Sequence, residues 1–129
     1  MKTQRQATAP LEHFEQVTFF NEIKKLGQTD YRYELIFAIP NSGSRSYGAL
    51  SYYRAEGLRK GIPDIFVAYP SGRFHGCFIE MKRVGGKYTD LSQSQVDWLA
   101  KLAFAGYKTM VGFGSLNALE QLKTYFGEL

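Results

Sequence analysis

The pattern of hydrophobic and polar positions predicts three helices and four strands along the chain. Apolar residues recur at helical spacing over residues 11–26, and Gly27 follows where glycine commonly ends a helix. The almost uniformly apolar run over residues 33–39 is typical of a strand covered on both faces. The other predicted elements are strands over 62–69, 77–82 and 107–113, a helix over 92–104, and a last helix over 115–126 with Ser115 as its cap.

Two neighbouring strands of this pattern form a β-hairpin that contains acidic residues. The connection between them, residues 70–76, holds a proline and two glycines, which are turn signals. Because strand side chains alternate between faces, Asp64 and Glu80 become neighbours in an antiparallel pair, and Lys82 shares the face of Glu80. Burying two carboxylates costs several kcal/mol unless a cation or a proton neutralises them. A divalent metal ion is the natural candidate.

Length and charge narrow the class of protein. With 129 residues and 44% hydrophobic content, we expect one globular domain over residues 11–129, preceded by a flexible polar segment over residues 1–10. The net charge of +4 is compatible with a nucleic-acid partner. Between residues 40 and 90 there are eight basic and four acidic residues, so the positive charge surrounds the proposed site.

Several classes of protein are disfavoured. A single cysteine, Cys77, excludes an intrachain disulfide and is most simply a core residue in a reducing cytoplasm. No apolar run approaches the ~18 residues of a membrane span, and residues 1–10 lack the apolar core of a signal peptide. Gly85, Gly86 and Lys87 do not form a Walker loop, so we expect no nucleotide cofactor.

Two polar residues on predicted helices have alternative interpretations. Glu15 lies within the apolar arc of the first helix and is either a further carboxylate of the metal site or a solvated glutamate at the edge of the arc. The helical pattern alone favours the solvated glutamate, since Glu12 and Glu22 fall nearly as close to the arc. Gln95 either closes a capping box with Ser92 or contributes a polar group that faces the core.

Basic and polar residues near the hairpin are candidate contacts to nucleic acid. For Asn41, ordinary turn chemistry is an equally good explanation. For residues 46–60, the alternative is a solvated helix with a tyrosine face. The candidates are Asn41, Arg45, Arg54, Arg59, Lys60, Arg83 and Lys87.

These residues together resemble a known family of nucleases. Pro63-Asp64 followed by Glu80-Met81-Lys82 resembles the PD-(D/E)xK superfamily. The wider text over residues 61–66 and 76–83, with Ser92, Gln95 and Trp98, and then Gly106-Tyr107, resembles the VRR-NUC family. The resemblance covers about residues 12–122 and is closest in layout to small stand-alone members from bacteriophages.

The resemblance implies a fold and a set of site residues. The fold is an α/β restriction-endonuclease-like αβββαβ core, a mixed central sheet flanked by helices. Asp64, Glu80, the Met81 carbonyl and Glu15 would bind Mg²⁺ or Mn²⁺, since a Glu-Gln pair opens the family's first helix. Lys82 would be a catalytic lysine and Gln95 an auxiliary polar group.

It also implies a function. We expect a DNA endonuclease selective for branched, junction or flap DNA, acting in DNA repair or phage DNA processing in a bacterial cytoplasm. Likeness to compact Holliday-junction resolvases implies a homodimer. The alternatives are a catalytically silent nucleic-acid-binding module and a nuclease acting on RNA or plain duplex DNA.

Overall fold

A four-stranded sheet organises the part of the chain that the structure describes. The computed structural model describes residues 4–40 and 55–128, with backbone alone for residues 4–10. The strands, in their spatial order, are β1 (Ile36–Ala38), β2 (Ile65–Val67), β3 (Cys77–Lys82) and β4 (Lys108–Phe113). β1, β2 and β3 pair antiparallel, whereas β4 runs parallel to β3. Together with the three α-helices among the described residues, this is the mixed α/β architecture that the sequence predicted.

The helices largely follow the predicted pattern. They are α1 (Gln4–Leu26), α2 (Gln93–Phe104) and α3 (Ser115–Tyr125). α1 begins seven residues before the predicted start, since the glutamines, arginine and alanine that precede Pro10 are good helix formers. α3 has Gly114 at its N-cap position, so Ser115 is its first helical residue and not the predicted cap.

The predicted hairpin is present, with a shorter first strand. β3 has the predicted bounds, and Ile65 pairs with Ile79 as Val67 pairs with Cys77. β2 begins at Ile65 and not at residue 62. Pro63 has no N–H to donate to a neighbouring strand, which limits the ladder at this end.

The strand predicted over residues 33–39 is replaced in part by a helical turn. Tyr31–Leu35 forms a 3₁₀ helix whose N-cap, Asp30, accepts a hydrogen bond from the Arg32 N–H. β1 therefore contains only three residues and lies at the sheet edge. Phe37 on it is 50% exposed, so the expected coverage of both faces was wrong. Hydrophobicity alone did not reveal the local Asp30 cap.

The two faces of β3 have different surroundings. Cys77, Ile79 and Met81 point into a core that includes Phe19 of α1 and Leu122 of α3. Cys77 is fully buried, as expected of a core residue, and this burial raises its pKa to about 12. The alternate residues of β3, among them Glu80 and Lys82, belong to the other face. One strand thus joins the apolar core to the polar site.

Among the described helices, none has the length and apolar character needed to cross a membrane.

The contact between β4 and α3 depends on a glycine. A Cβ atom at Gly112 would lie 2.6 Å from the Ala118 Cβ and 3.3 Å from the Met81 Sδ. Gly112→Ala is expected to lower the free energy of unfolding by about 1–3 kcal/mol through overpacking, measured by urea denaturation.

A double-mutant cycle provides the control for this prediction. Ala118→Gly alone should cost about 1 kcal/mol, because glycine is unfavourable within a helix. In the double variant the clash is relieved, so its loss should be smaller than the sum of the two single losses. Strict additivity would show that the two Cβ atoms do not compete for space.

Candidate active site

The hairpin brings Asp64 and Glu80 together. The β2–β3 register, continued one residue beyond the Ile65–Ile79 pair, places Asp64 opposite Glu80. The Met81 N–H donates to the Asp64 Oδ2 at 2.7 Å, which fixes that carboxylate against β3. The Asp64 carbonyl also accepts from the Ile39 N–H at 2.7 Å. Asp64 is therefore held from both neighbouring strands.

The segment before Asp64 is fixed against α2. The Trp98 Nε1–H donates to the Lys60 carbonyl at 3.0 Å. Gly61 has a φ of 87°, and a Cβ atom there would lie 2.7 Å from Ser94. Only glycine meets both the backbone conformation and the close approach. This packing sets the direction from which the chain reaches Asp64.

Glu80 is a buried carboxylate with an unsatisfied oxygen. It is 2% exposed, and its Oε1 has no hydrogen-bond partner among the described residues. Burial raises its pKa well above the usual range, and the hydrogen bond with Asp64 and the charge of Asp64 raise it further. Two carboxylates share a hydrogen bond only when one is protonated. The pair therefore carries a proton or takes up a cation.

Lys82 lies beside this pair and faces α1. Its side chain is nearly buried, and its Nζ lies 3.9 Å from the Glu12 Oε1. A separation of 3.9 Å is at the long end of an ion pair. Lys82 is thus positioned close to a third carboxylate, that of Glu12, whereas the sequence analysis named Glu15.

The electrostatic environment of Glu12 ties it to the same site. Burial raises its pKa, the charges of Asp64 and Asp90 raise it further, and Lys82 and Arg83 oppose the rise. Glu12 thus shares an electrostatic environment with Asp64 and Lys82. Among the described residues, it is the α1 carboxylate that forms an ion pair with Lys82.

Glu15 contacts the start of α3. Its Oε1 accepts a hydrogen bond from the Ser115 N–H at 2.8 Å. A Cβ atom at Gly114 would lie 3.0 Å from that oxygen, so glycine admits the carboxylate to the start of α3. Because Gly114 offers no side-chain cap, Glu15 satisfies this helix terminus. Periodicity could not separate Glu12 from Glu15, which lie three residues apart on one helix.

Gln95 closes the capping box. The Ser92 N–H donates to the Gln95 Oε1 at 2.9 Å, and the Gln95 N–H donates to the Ser92 Oγ at 3.2 Å. Of the two interpretations open from the sequence, the structure shows this one. The side-chain oxygen of Gln95 is therefore engaged at the start of α2.

The predicted nucleic-acid contacts that are described lie on the segments that flank Asp64 and Glu80 in the chain. Arg59 and Lys60 are exposed before β2, while Arg83 is half-buried and Lys87 exposed after β3. The remaining three, Asn41, Arg45 and Arg54, lie outside the described residues.

The donor set suits a cation with few protein ligands. Within residues 4–40 and 55–128, no three His, Cys, Asp or Glu side chains form a group that could hold a metal ion. Asp64 and Glu80 supply two carboxylates, and the Met81 carbonyl points to the Asp64 side, as does its N–H. Mg²⁺ is usually held by one or two carboxylates plus water and substrate phosphate. The unpartnered Glu80 oxygen fits such an ion.

The contact of Glu15 with α3 has a measurable effect on stability. Glu15→Ala is expected to lower the free energy of unfolding by about 1 kcal/mol, since the Ser115 N–H loses its acceptor. Glu22→Ala is the matched control on the same helix, because the one ion pair of Glu22 with a described residue is its exposed pair with Lys25. Urea denaturation of both variants tests this. Equal losses would contradict a capping role for Glu15.

The raised pKa of Glu80 predicts how stability depends on pH without metal. Because its folded pKa exceeds its unfolded value, its stabilising contribution is complete below about pH 4.5 and is lost progressively as the pH rises. Glu80→Gln removes this loss and should increase stability by about 1–3 kcal/mol at pH 8 in EDTA. Thermal unfolding at pH 5 and pH 8 measures the difference. An advantage that did not grow with pH would contradict the assignment.

Comparison with known proteins agrees with this fold. The VRR-NUC domain model matches residues 4–114. A solved structure described as a "VRR_NUC domain protein" superposes with a TM-score of 0.75, at 22% identity, over 91% of this chain and 88% of that chain. At that identity the likeness supports the fold alone. No curated protein sequence matches the chain. Since the family model covers most of its length, the chain belongs to the VRR-NUC family of nuclease-type domains.

Proposed function

We propose that this chain is a metal-dependent DNA endonuclease that hydrolyses phosphodiester bonds with Mg²⁺ or Mn²⁺. One observation carries the proposal: the Glu80 oxygen is buried beside Asp64 and has no partner among the described residues. A structural carboxylate would be expected to have its hydrogen bonds satisfied. An unsatisfied one beside a second carboxylate is typical of a cation site.

Asp64, Glu80 and the Met81 carbonyl would hold the ion. When bound, a divalent ion supplies Lewis-acid polarisation of the phosphoryl group and lowers the pKa of water. Asp64 is already oriented by the Met81 N–H, so its ordering does not have to accompany binding. Glu12 lies beyond Lys82 and would act from outside this set.

We assign Lys82 a direct role in catalysis, in which its positive charge stabilises the phosphoryl oxygens in the transition state. Its side chain shares the sheet face of Glu80, and Glu12 restrains its ammonium group at 3.9 Å. Burial limits competing water, so a positive charge there acts strongly on the charge that develops in the transition state. Orienting or deprotonating the water is the alternative role.

The surrounding charge favours DNA recognition through the backbone. Arg59, Lys60 and Lys87 are exposed on the segments that flank the carboxylates. Arginine and lysine contacts to phosphate position a duplex without reading its sequence. Because such contacts do not read the base sequence, we propose that the shape of the DNA governs the choice of substrate and that the enzyme selects branched, junction or flap DNA. On a four-way junction, a homodimer would place two sites on opposed strands.

The first test is cleavage of end-labelled DNA in Mg²⁺, Mn²⁺ or EDTA. The substrates are a four-way junction, a flap, single-stranded DNA and plain duplex, with an RNA strand beside them. Lys82→Ala should lower the cleavage rate at least about a hundredfold, while DNA binding stays nearly intact. Asp64→Asn should lose metal binding as well, measured by titration calorimetry. Normal cleavage by both variants would contradict the site.

Matched controls separate the site from general effects of mutation. Lys101→Ala removes an exposed lysine from α2 and should leave cleavage unchanged. Glu12→Gln should lower cleavage, whereas Glu15→Gln keeps an acceptor for the Ser115 N–H and should not. The reverse result would assign the role of the α1 carboxylate in cleavage to Glu15 and not to Glu12.

The competing function is a nucleic-acid-binding module without catalysis. The lack of a three-ligand group among the described residues favours it. Such a module would bind DNA equally well in EDTA and would take up no Mg²⁺ or Mn²⁺. DNA binding without cleavage in either metal, together with no metal uptake in calorimetry, would establish it.

A further inference from the structure

A cavity of about 350 Å³ lies between the hairpin connection and α3, away from the carboxylates. Lys108, at the start of β4, lines the cavity and pairs with Cys77 of β3. Lys82, in the candidate active site, lies five residues further along β3 than Cys77, or about 16 Å away. The cavity and the candidate active site therefore lie toward opposite ends of the sheet.

Aromatic and apolar side chains form much of the cavity wall. The rings of Phe74 and Tyr125 both line it, with centroids 6.4 Å apart and planes inclined at 46°. Met110, which is 4% exposed, lines it as well. Aromatic rings with a polarisable sulfur nearby favour a flat, apolar ring system.

The rim of the cavity is positively charged. Lys108 is exposed, and its Nζ lies 5.7 Å from the Phe74 ring centroid. The Arg73 guanidinium lies 5.3 Å from the same centroid. Lys108 forms no ion pair with any described residue, and none of the described lining residues is acidic. The rim is thus suited to an anionic group.

Gln121 presents a fixed hydrogen-bond acceptor. Its Nε2 donates to the Val111 carbonyl at 2.8 Å and to the Asn117 Oδ1 at 2.9 Å. Since the amide group has two N–H bonds, both are used and the amide orientation is set. No described residue donates a hydrogen bond to its Oε1, so this oxygen can accept one from a ligand.

We propose that this cavity binds one nucleotide. The base lies against Phe74 and Tyr125 and donates a hydrogen bond to Gln121, and the phosphate binds Lys108. A flat ring with an edge donor and an attached anion is the chemistry that these groups share. The nucleotide is either free or the terminal nucleotide of a strand. The inference goes beyond the proposed function, because it uses none of the carboxylates and no metal ion.

Calorimetric titration with dAMP in EDTA tests the proposal. Saturable binding of dAMP is expected, with weaker binding of deoxyadenosine and none of inorganic phosphate at the same concentration. Lys108→Ala should weaken dAMP binding about tenfold. Lys101→Ala is the matched control and should bind dAMP normally, because Lys101 also lies over an aromatic ring, that of Trp98, at 5.4 Å.

Further variants keep the test independent of folding and of the nuclease site. Phe74→Leu should weaken dAMP binding at least about fivefold through lost stacking, and circular dichroism checks its fold. Asp64→Asn should bind dAMP normally even if it loses metal. Absence of dAMP binding, unchanged binding by Lys108→Ala, or loss of binding by Asp64→Asn would overturn the proposal.

Two oligonucleotides identify the source of the nucleotide. A single-stranded octamer with a 5′-phosphate is compared with the same strand without it, again in EDTA. Competition of the phosphorylated strand with dAMP, lost in Lys108→Ala, would assign the cavity to a strand terminus. Competition by neither strand, with dAMP still bound, would assign it to free nucleotide.

Discussion

The hydrogen bond from the Met81 N–H to the Asp64 carboxylate holds the candidate site together. It joins Asp64, the residue before β2, to Met81 near the end of β3. Asp64 therefore stays beside Glu80, although the pairing of β2 with β3 ends at Ile65 and Ile79. Without this contact, the repulsion between two nearby carboxylates would favour their separation. The backbone of β3 thus imposes a proximity that the side chains alone would resist. Burial raises the pKa of Glu80, and the nearby Asp64 raises it further.

β3 is able to impose this proximity because it is central. It pairs with β2 on one side and β4 on the other, and its odd-numbered residues are packed in the core. A strand held on three sides cannot shift to relieve strain at one residue. Glu80 therefore remains buried although its Oε1 has no hydrogen-bond partner among the described residues. Local instability of this kind is common where a protein binds a ligand or catalyses a reaction.

The first helix connects the site to the rest of the fold through two glutamates. Glu12 faces Lys82, and Glu15 satisfies the Ser115 N–H at the start of α3. They lie less than one turn apart, so the contact that holds α3 also sets the position of Glu12. The other end of the sheet holds the cavity near Lys108. Binding there and chemistry at Glu80 would use separate ends of β3 and β4.

The sequence by itself determined the α/β class, the hairpin, the bounds of β3 and the juxtaposition of Asp64 with Glu80. These features follow from alternation, helical spacing and turn residues, which depend on neighbours within a few positions. Only the tertiary structure decided which α1 glutamate faces Lys82, since Glu12 and Glu15 share a helical arc and differ in contacts to distant β3 and α3. It also created the cavity beside α3. Such features depend on packing between segments far apart in the chain, which periodicity does not encode.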